Sequence, residues 1–170
     1  MLRALLASFL LATLAVPIKA DELVVFLVRH AEKATGKDPA LTAAGTARAL
    51  ELSKVLADSH ITRVYSSDYL RTRLTAAPLV KRLGVELKLY DANNLTGLAE
   101  ELKSHPGRYL VVGHSNTTPA MVRHLGGDPG TDINEDEYDR LYITSTSNDN
   151  NVISTVQLRY GKHPIKVVVD

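Results

Sequence analysis

The sequence predicts a three-layer α/β/α sandwich with a largely parallel central sheet. Three observations carry that expectation. Short apolar runs rich in β-branched residues alternate with amphipathic stretches of helical length. Two of those runs end on a histidine. No linker or internal repeat divides the chain beyond its first twenty residues, so a single domain is expected over residues 21–170.

The elements follow in order. Leu23 to Val28 is a continuous apolar run, as expected of a strand buried on both faces, and it leads into Arg29-His30. A loop holding Gly36 and Pro39 follows, and Thr42 is placed to cap a helix running towards Ala57. Arg63 to Ser66 reads as a second strand. Tyr69 to Leu83 reads as a second helix closed by Gly84, with Pro78 as a kink or break. Val85 to Tyr90 is a third strand and Leu95 to Ser104 a third helix. Tyr109 to Val112 is another buried strand, leading into Gly113-His114, and Thr117 to Leu125 is a short helix stopped by Gly126-Gly127. Leu141 to Ile143 and Val152 to Tyr160 read as a hairpin across the polar turn Asn148 to Asn151.

The first twenty residues have a different character. A cationic start at Arg3 precedes an apolar stretch from Ala4 to Val16, too short to span a bilayer, and Pro17-Ile18-Lys19-Ala20 leads into Asp21-Glu22. This pattern predicts a signal peptide cleaved after Ala20, an exported (periplasmic or secreted) domain, and no stable membrane insertion after cleavage. Cleavage would remove two positive charges, Arg3 and Lys19, from a chain of net charge +1. Such a near-neutral protein, with no basic run, gives no electrostatic reason to expect nucleic-acid binding. The chain has no Cys, which excludes disulfides, thiolate metal sites and a cysteine nucleophile.

Ligand sites in open α/β sheets lie beyond the carboxyl ends of the strands. Both strand-end histidines belong there. His30 is an imidazole nucleophile candidate towards phosphorus, and Arg29 beside it has the forked donor geometry that phosphate oxygens match. His114 stands where a strand turns through Gly113 into a helix, and helix N-termini favour anions. Arg71 and Arg73 open the second helix, where either could reach over the strand ends. His60, His105, His124 and His163 have no ligand-like neighbours and read as structural or exposed. The acidic run Asp132 to Asp139, with Tyr138, reads as a solvated loop that could border the site.

These pieces together resemble the histidine phosphatase (phosphoglycerate mutase-like) superfamily. Arg29-His30-Ala31-Glu32 resembles its Arg-His-Gly hallmark with Ala in place of Gly. Leu41-Thr42-Ala43-Ala44-Gly45 matches a Leu-Thr-x-x-Gly pattern. Ser66, Ser67, Arg71, Thr75 and Ala76 match Ser-Ser-x-x-x-Arg-x-x-x-Thr-Ala, and Gly113-His114-Ser115 matches the last motif. The resemblance implies that His30 becomes phosphohistidine, that Arg29, Arg71, His114 and Ser115 hold the phosphoryl oxygens, and that water then releases phosphate. It prefers Arg71 to Arg73 by the distance to Thr75. It implies no cofactor and no metal.

The implied substrate is a small or surface-exposed phosphorylated molecule. A carboxylate past the third strand usually supplies the leaving-group proton in this family. Asp91 is the candidate, with Glu32 second; some small members of the family lack the acid. An added Cβ at Ala31 would strain a left-handed backbone there. A phosphate-binding module without turnover is the alternative, and a metal-dependent hydrolase using His30 and His114 is a weaker one. A neutral His30 and a protonated His114 together predict activity on the acidic side of neutral.

Overall fold

The computed structural model describes residues 22–146 and 153–161. The expected signal peptide and the Asn148 to Asn151 turn lie outside these residues, as does His163. Six strands form one sheet: β1 (Val24–Arg29), β2 (Arg63–Ser67), β3 (Glu86–Tyr90), β4 (Arg108–Gly113), β5 (Arg140–Thr146) and β6 (Ile153–Arg159). Their spatial order is β3-β2-β4-β1-β5-β6.

Strand β1 is buried at every position, as its unbroken apolar run requires of a central strand with helices on both faces. Its alternate residues serve two cores. Val24, Phe26 and Val28 join Val64, Leu110, Val112, Leu52 and Leu79, on the side of α1 (Ala43–Val55) and α2 (Leu70–Leu83). Val25 and Leu27 join Tyr65, Val111, Leu102 and Met121, on the side of α3 (Leu95–Ser104) and α4 (Thr117–His124). The three-layer sandwich expected from the sequence is therefore present.

The expected parallel character needs correction: the sheet is mixed. The β2–β3, β2–β4 and β1–β4 pairings are parallel, whereas β1–β5 and β5–β6 are antiparallel. A crossover helix separates each of the first four strands from the next, which lets them run in one direction. No helix separates β5 from β6 among the described residues, and they pair antiparallel from Arg140↔Arg159 to Thr146↔Ile153.

The helix termini follow their sequence signals. Thr42 caps α1, its hydroxyl oxygen accepting the Gly45 N–H at 3.1 Å. Gly84 ends α2 at φ +65°, the left-handed conformation that a residue without Cβ adopts freely. Pro78 sits inside α2 and does not end it. None of the helices among the described residues is long and apolar enough to cross a membrane.

Candidate active site

His30 directly follows β1, and His114 directly follows β4, its paired neighbour. Parallel pairing in register, Arg29 opposite Gly113, brings the two histidines to the same sheet end. Their ring centroids lie 5.5 Å apart. They share a cleft of about 350 Å³ with Arg29, Arg71, Lys33, Tyr69, Ala92, Asn93, Ser115, Asn116, Thr117 and Glu135.

The tautomer of each histidine can be read from its partners. His30 Nδ1 lies 2.8 Å from the Ala31 carbonyl oxygen, which can only accept, so Nδ1 carries the proton. That leaves Nε2 with its lone pair. At His114, Nδ1 lies 3.4 Å from an Arg71 guanidinium nitrogen, which can only donate. His114 Nε2 therefore holds the proton and donates to Ser67 Oγ at 2.9 Å. Ser67 in turn donates to Thr72 Oγ1 at 3.1 Å, and the Thr72 hydroxyl donates to the Ser67 and Tyr69 carbonyls. The buried polar chain is consistent along its length.

Burial pushes His30 down to about 4, with Arg29, Arg71 and His114 adding to the effect against the Ala31 hydrogen bond. Burial, then Arg71 and Arg29, push His114 down to about 4 as well. Both rings are thus neutral at neutral pH. This corrects the expectation of a protonated His114 in the free protein.

Backbone geometry explains the motifs. Ala31 is fully buried and has no positive φ, so its Cβ brings no left-handed strain. Its N–H donates to Thr75 Oγ1 at 2.9 Å, and the Thr75 hydroxyl donates to the Arg71 carbonyl at 2.8 Å. The Arg-x-x-x-Thr spacing is therefore one helical turn that ties α2 to the loop following His30. A Cβ on Gly113 would lie 2.8 Å from Thr117 Oγ1, the atom that accepts the His114 N–H.

The two candidate arginines of α2 have different surroundings. Arg71 lines the cleft, stacks 4.3 Å over the Tyr69 ring, and pairs with Asp38 at 3.5 Å. Arg73 pairs with Asp68 and is not in the lining. Arg29 is almost wholly buried. One of its terminal nitrogens donates to the carbonyls of Asn134, Glu135 and Glu137, and the other to the Glu135 carboxylate at 2.9 Å. The Nε atoms of Arg29 and Arg71 are buried without a hydrogen-bond partner.

The two candidate acids are elsewhere. Asp91 lies outside the lining, and its Oδ1 accepts the Asn93 N–H at 2.9 Å and the Asn93 side-chain amide at 3.2 Å. Glu32 is also outside the lining and takes a bidentate bond from Arg48, with distances of 2.7 to 3.0 Å. The residues that sequence reasoning did not single out are Ser67, Tyr69, Lys33, Asn93 and Glu135. Ser67 was present within a motif, but only the fold shows that it holds His114.

The acidic run is more ordered than a solvated loop. Glu137 bonds both Arg140 and Arg159 and is held down to about 2, chiefly by Arg140. Tyr138 stacks 4.2 Å from the Arg29 guanidinium and 6.0 Å from the His30 ring. Glu135 lies at the mouth, its carboxylate accepting from Ser115 Oγ at 2.8 Å. That bond and Arg29 hold it below the usual carboxylate range.

The sequence model of the histidine phosphatase superfamily (branch 1) matches residues 25–94. That segment holds His30, Arg29 and Arg71, all of which line the cleft. Over these residues the chain is similar to the histidine phosphatase superfamily. Solved structures agree in fold. The protein histidine phosphatase SixA complexed with tungstate is 18% identical at a TM-score of 0.65, over 81% of this chain and 97% of that one. A mycobacterial glucosyl-3-phosphoglycerate phosphatase is 15% identical at 0.65, over 82% and 98%. A SixA from Nakamurella multipartitia is 19% identical at 0.60, over 85% and 97%. No curated protein matches the chain by sequence.

Proposed function

We propose that this chain is a phosphatase of the histidine phosphatase superfamily that passes the phosphoryl group through His30. The observation that carries the reading is the His30 Nδ1–H bond to Ala31, which leaves the Nε2 lone pair free in a cleft lined by two arginines. Nε2 attacks phosphorus in line while the bond to the leaving oxygen breaks. Charge that builds on the equatorial oxygens is met by Arg29, Arg71 and Ser115, while His114 holds the Arg71 guanidinium through its Nδ1 lone pair. The partnerless Nε atoms of Arg29 and Arg71 gain an acceptor when an anion enters. Water then attacks the phosphohistidine, releases inorganic phosphate and returns the electron pair to Nε2.

The substrate in this reading is a small or surface-exposed phosphorylated molecule, met outside the cytoplasm. The open cleft supports the first part and the sequence of residues 1–20 supports the second. No metal takes part in the proposed steps. The test is rapid-quench turnover of an aryl phosphate by wild type and His30→Ala, with and without chelator. The expected result is a burst of phenol matched by an acid-labile phosphoenzyme in wild type only, unchanged by chelator. Phosphate binding with no burst and no turnover would favour the binding module instead. Mass spectrometry of the exported protein, reading an N-terminus at Asp21, tests the cleavage.

A further inference from the structure

The proposed chemistry needs a proton carrier on the side where the leaving group departs. His30 is almost wholly buried on the cleft floor, so in-line attack sends the leaving oxygen towards the mouth. Among the described residues that line the cleft, Glu135 alone has a carboxylate. It stands at that mouth with 82% of its side chain exposed. Its two oxygens rest on Ser115 Oγ and on an Arg29 terminal nitrogen, both donors that the proposed function assigns to substrate oxygens. The three other carboxylates near the site are committed elsewhere: Asp91 to Asn93, Glu32 to Arg48, and Asp38 to the Leu70 N–H and Arg71.

We propose that Glu135 is the general acid and base on the leaving side, a role that rests on His30 being the nucleophile. An arriving phosphate displaces the carboxylate from Arg29 and Ser115. The displaced carboxylate loses two donors and gains a dianionic neighbour, and both changes favour its protonated form. In the first step His30 Nε2 bonds phosphorus and the phosphorus–oxygen bond breaks. Its electron pair stays on the leaving oxygen, which takes the Glu135 proton and departs as an alcohol. In the second step a water oxygen bonds phosphorus, the nitrogen–phosphorus bond breaks towards Nε2, and a water proton goes to Glu135. Glu135 is thus again the acid it became when it took a proton from solvent on substrate binding, and it returns that proton to solvent when phosphate leaves and Arg29 and Ser115 rebind its carboxylate.

The backbone around Glu135 is fixed, while its exposed side chain is held by Arg29 and Ser115. The carbonyls of Asn134, Glu135 and Glu137 converge on one buried Arg29 nitrogen, within 2.7 to 3.1 Å. Arg140 secures the other end of the loop through Thr131, Asp132 and Glu137. An exposed carboxylate on a fixed backbone has room to turn from Arg29 to a leaving oxygen.

The test compares wild type, Glu135→Gln and His30→Ala on an alkyl phosphate and on aryl phosphates of graded leaving-group acidity. Inorganic phosphate inhibition is measured in parallel. Gln keeps the size and the amide oxygen as an acceptor but cannot donate a carboxylic proton. Glu135→Gln is expected to lose roughly 10²–10⁴-fold on the alkyl ester. Its phenol burst from the most acidic aryl ester should stay within a few-fold, so leaving-group dependence steepens. Equal losses on both esters, or a loss on neither, would overturn the role. So would tighter phosphate inhibition with unchanged leaving-group dependence, which marks Glu135 as a placeholder for the anion. A wild type that bursts on aryl esters yet ignores the alkyl ester would also overturn it, leaving the His30 reading intact. Failure of the burst in wild type removes that reading as well.

Discussion

His114 Nε2 lies 2.9 Å from Ser67 Oγ, and this contact fixes which face of the imidazole meets the cleft. Ser67 is fully buried at the end of β2, and its hydroxyl has Thr72 as its own acceptor. The Ser-Ser motif therefore serves the site from behind the second histidine.

Ser67→Ala leaves the His114 N–H without that acceptor. Truncating one partner of a buried hydrogen bond costs about 1–3 kcal/mol. The variant should unfold at lower urea, by an amount in that range, with an unchanged m-value. Its kcat/KM on an aryl phosphate should fall about tenfold or more, because the ring loses its fixed tautomer. Ser67→Thr tests the alternative that bulk alone matters. It keeps the hydroxyl, so activity should recover in part if the hydrogen bond is what counts.

The depressed histidines give a pH dependence of definite sign. Both His30 and His114 sit at about 4 in the fold, against about 6.5 in an unfolded chain. The unfolded state binds more protons between these values, so stability present above pH 6.5 is lost as pH falls towards 4. On an aryl phosphate whose phenol is acidic enough to leave without a general acid, and after correction for substrate ionisation, kcat/KM should hold level from pH 8 down to about 5. It should fall below that, as His30 gains the proton that blocks its attack. Urea midpoints and initial rates across pH 4–8 check both statements. An acid limb centred near pH 6.5 would show that the histidines are not shifted.

The arginine choice is tested by a matched pair. Arg71 lines the cleft beside His114, whereas Arg73 pairs with Asp68 outside it. Arg71→Ala should cost on the order of 10²–10³ in kcat/KM, comparable to removing one transition-state donor. Arg73→Ala should stay within about twofold, since exposed pairs contribute little. Steady-state kinetics on one aryl phosphate decide it. Equal losses would mean that the helix N-terminus was disturbed in both.

Much of this site was legible because its signals are local. Val24 to Val28 is apolar on both faces, and such a run leading into Arg29-His30 says where the strand stops and where a ligand belongs. Thr42 and Gly84 mark helix ends through their own backbone chemistry. The mixed sheet was less legible, since an apolar strand does not record the direction of its neighbour. Glu135 was not legible at all. It belongs to an acidic run whose composition suggests solvent, and only the fold turns three of that run's carbonyls onto Arg29. Tertiary pairing across more than a hundred residues leaves no periodic trace.

Gly45 offers the last test, of a motif that carries no chemistry of its own. A Cβ built there would lie 2.1 Å from the Glu32 carbonyl oxygen and 2.9 Å from its carbon. The same carbonyl accepts the Thr42 N–H at 2.9 Å, so α1 starts against the backbone that follows His30 and Ala31. These contacts are with backbone, so no side chain can rotate aside, and the helix or the His30 loop must move. Gly45→Ala is expected to lose about 1–3 kcal/mol or more, even though Ala favours helices over Gly by about 1 kcal/mol. The two terms oppose each other, and the steric one should win. Urea denaturation of Gly45→Ala beside Ala44→Gly, on the same helical turn, measures both. A stabilised Gly45→Ala would mean that α1 can retreat from Glu32 at no cost, and the Leu-Thr-x-x-Gly pattern would lose its structural explanation.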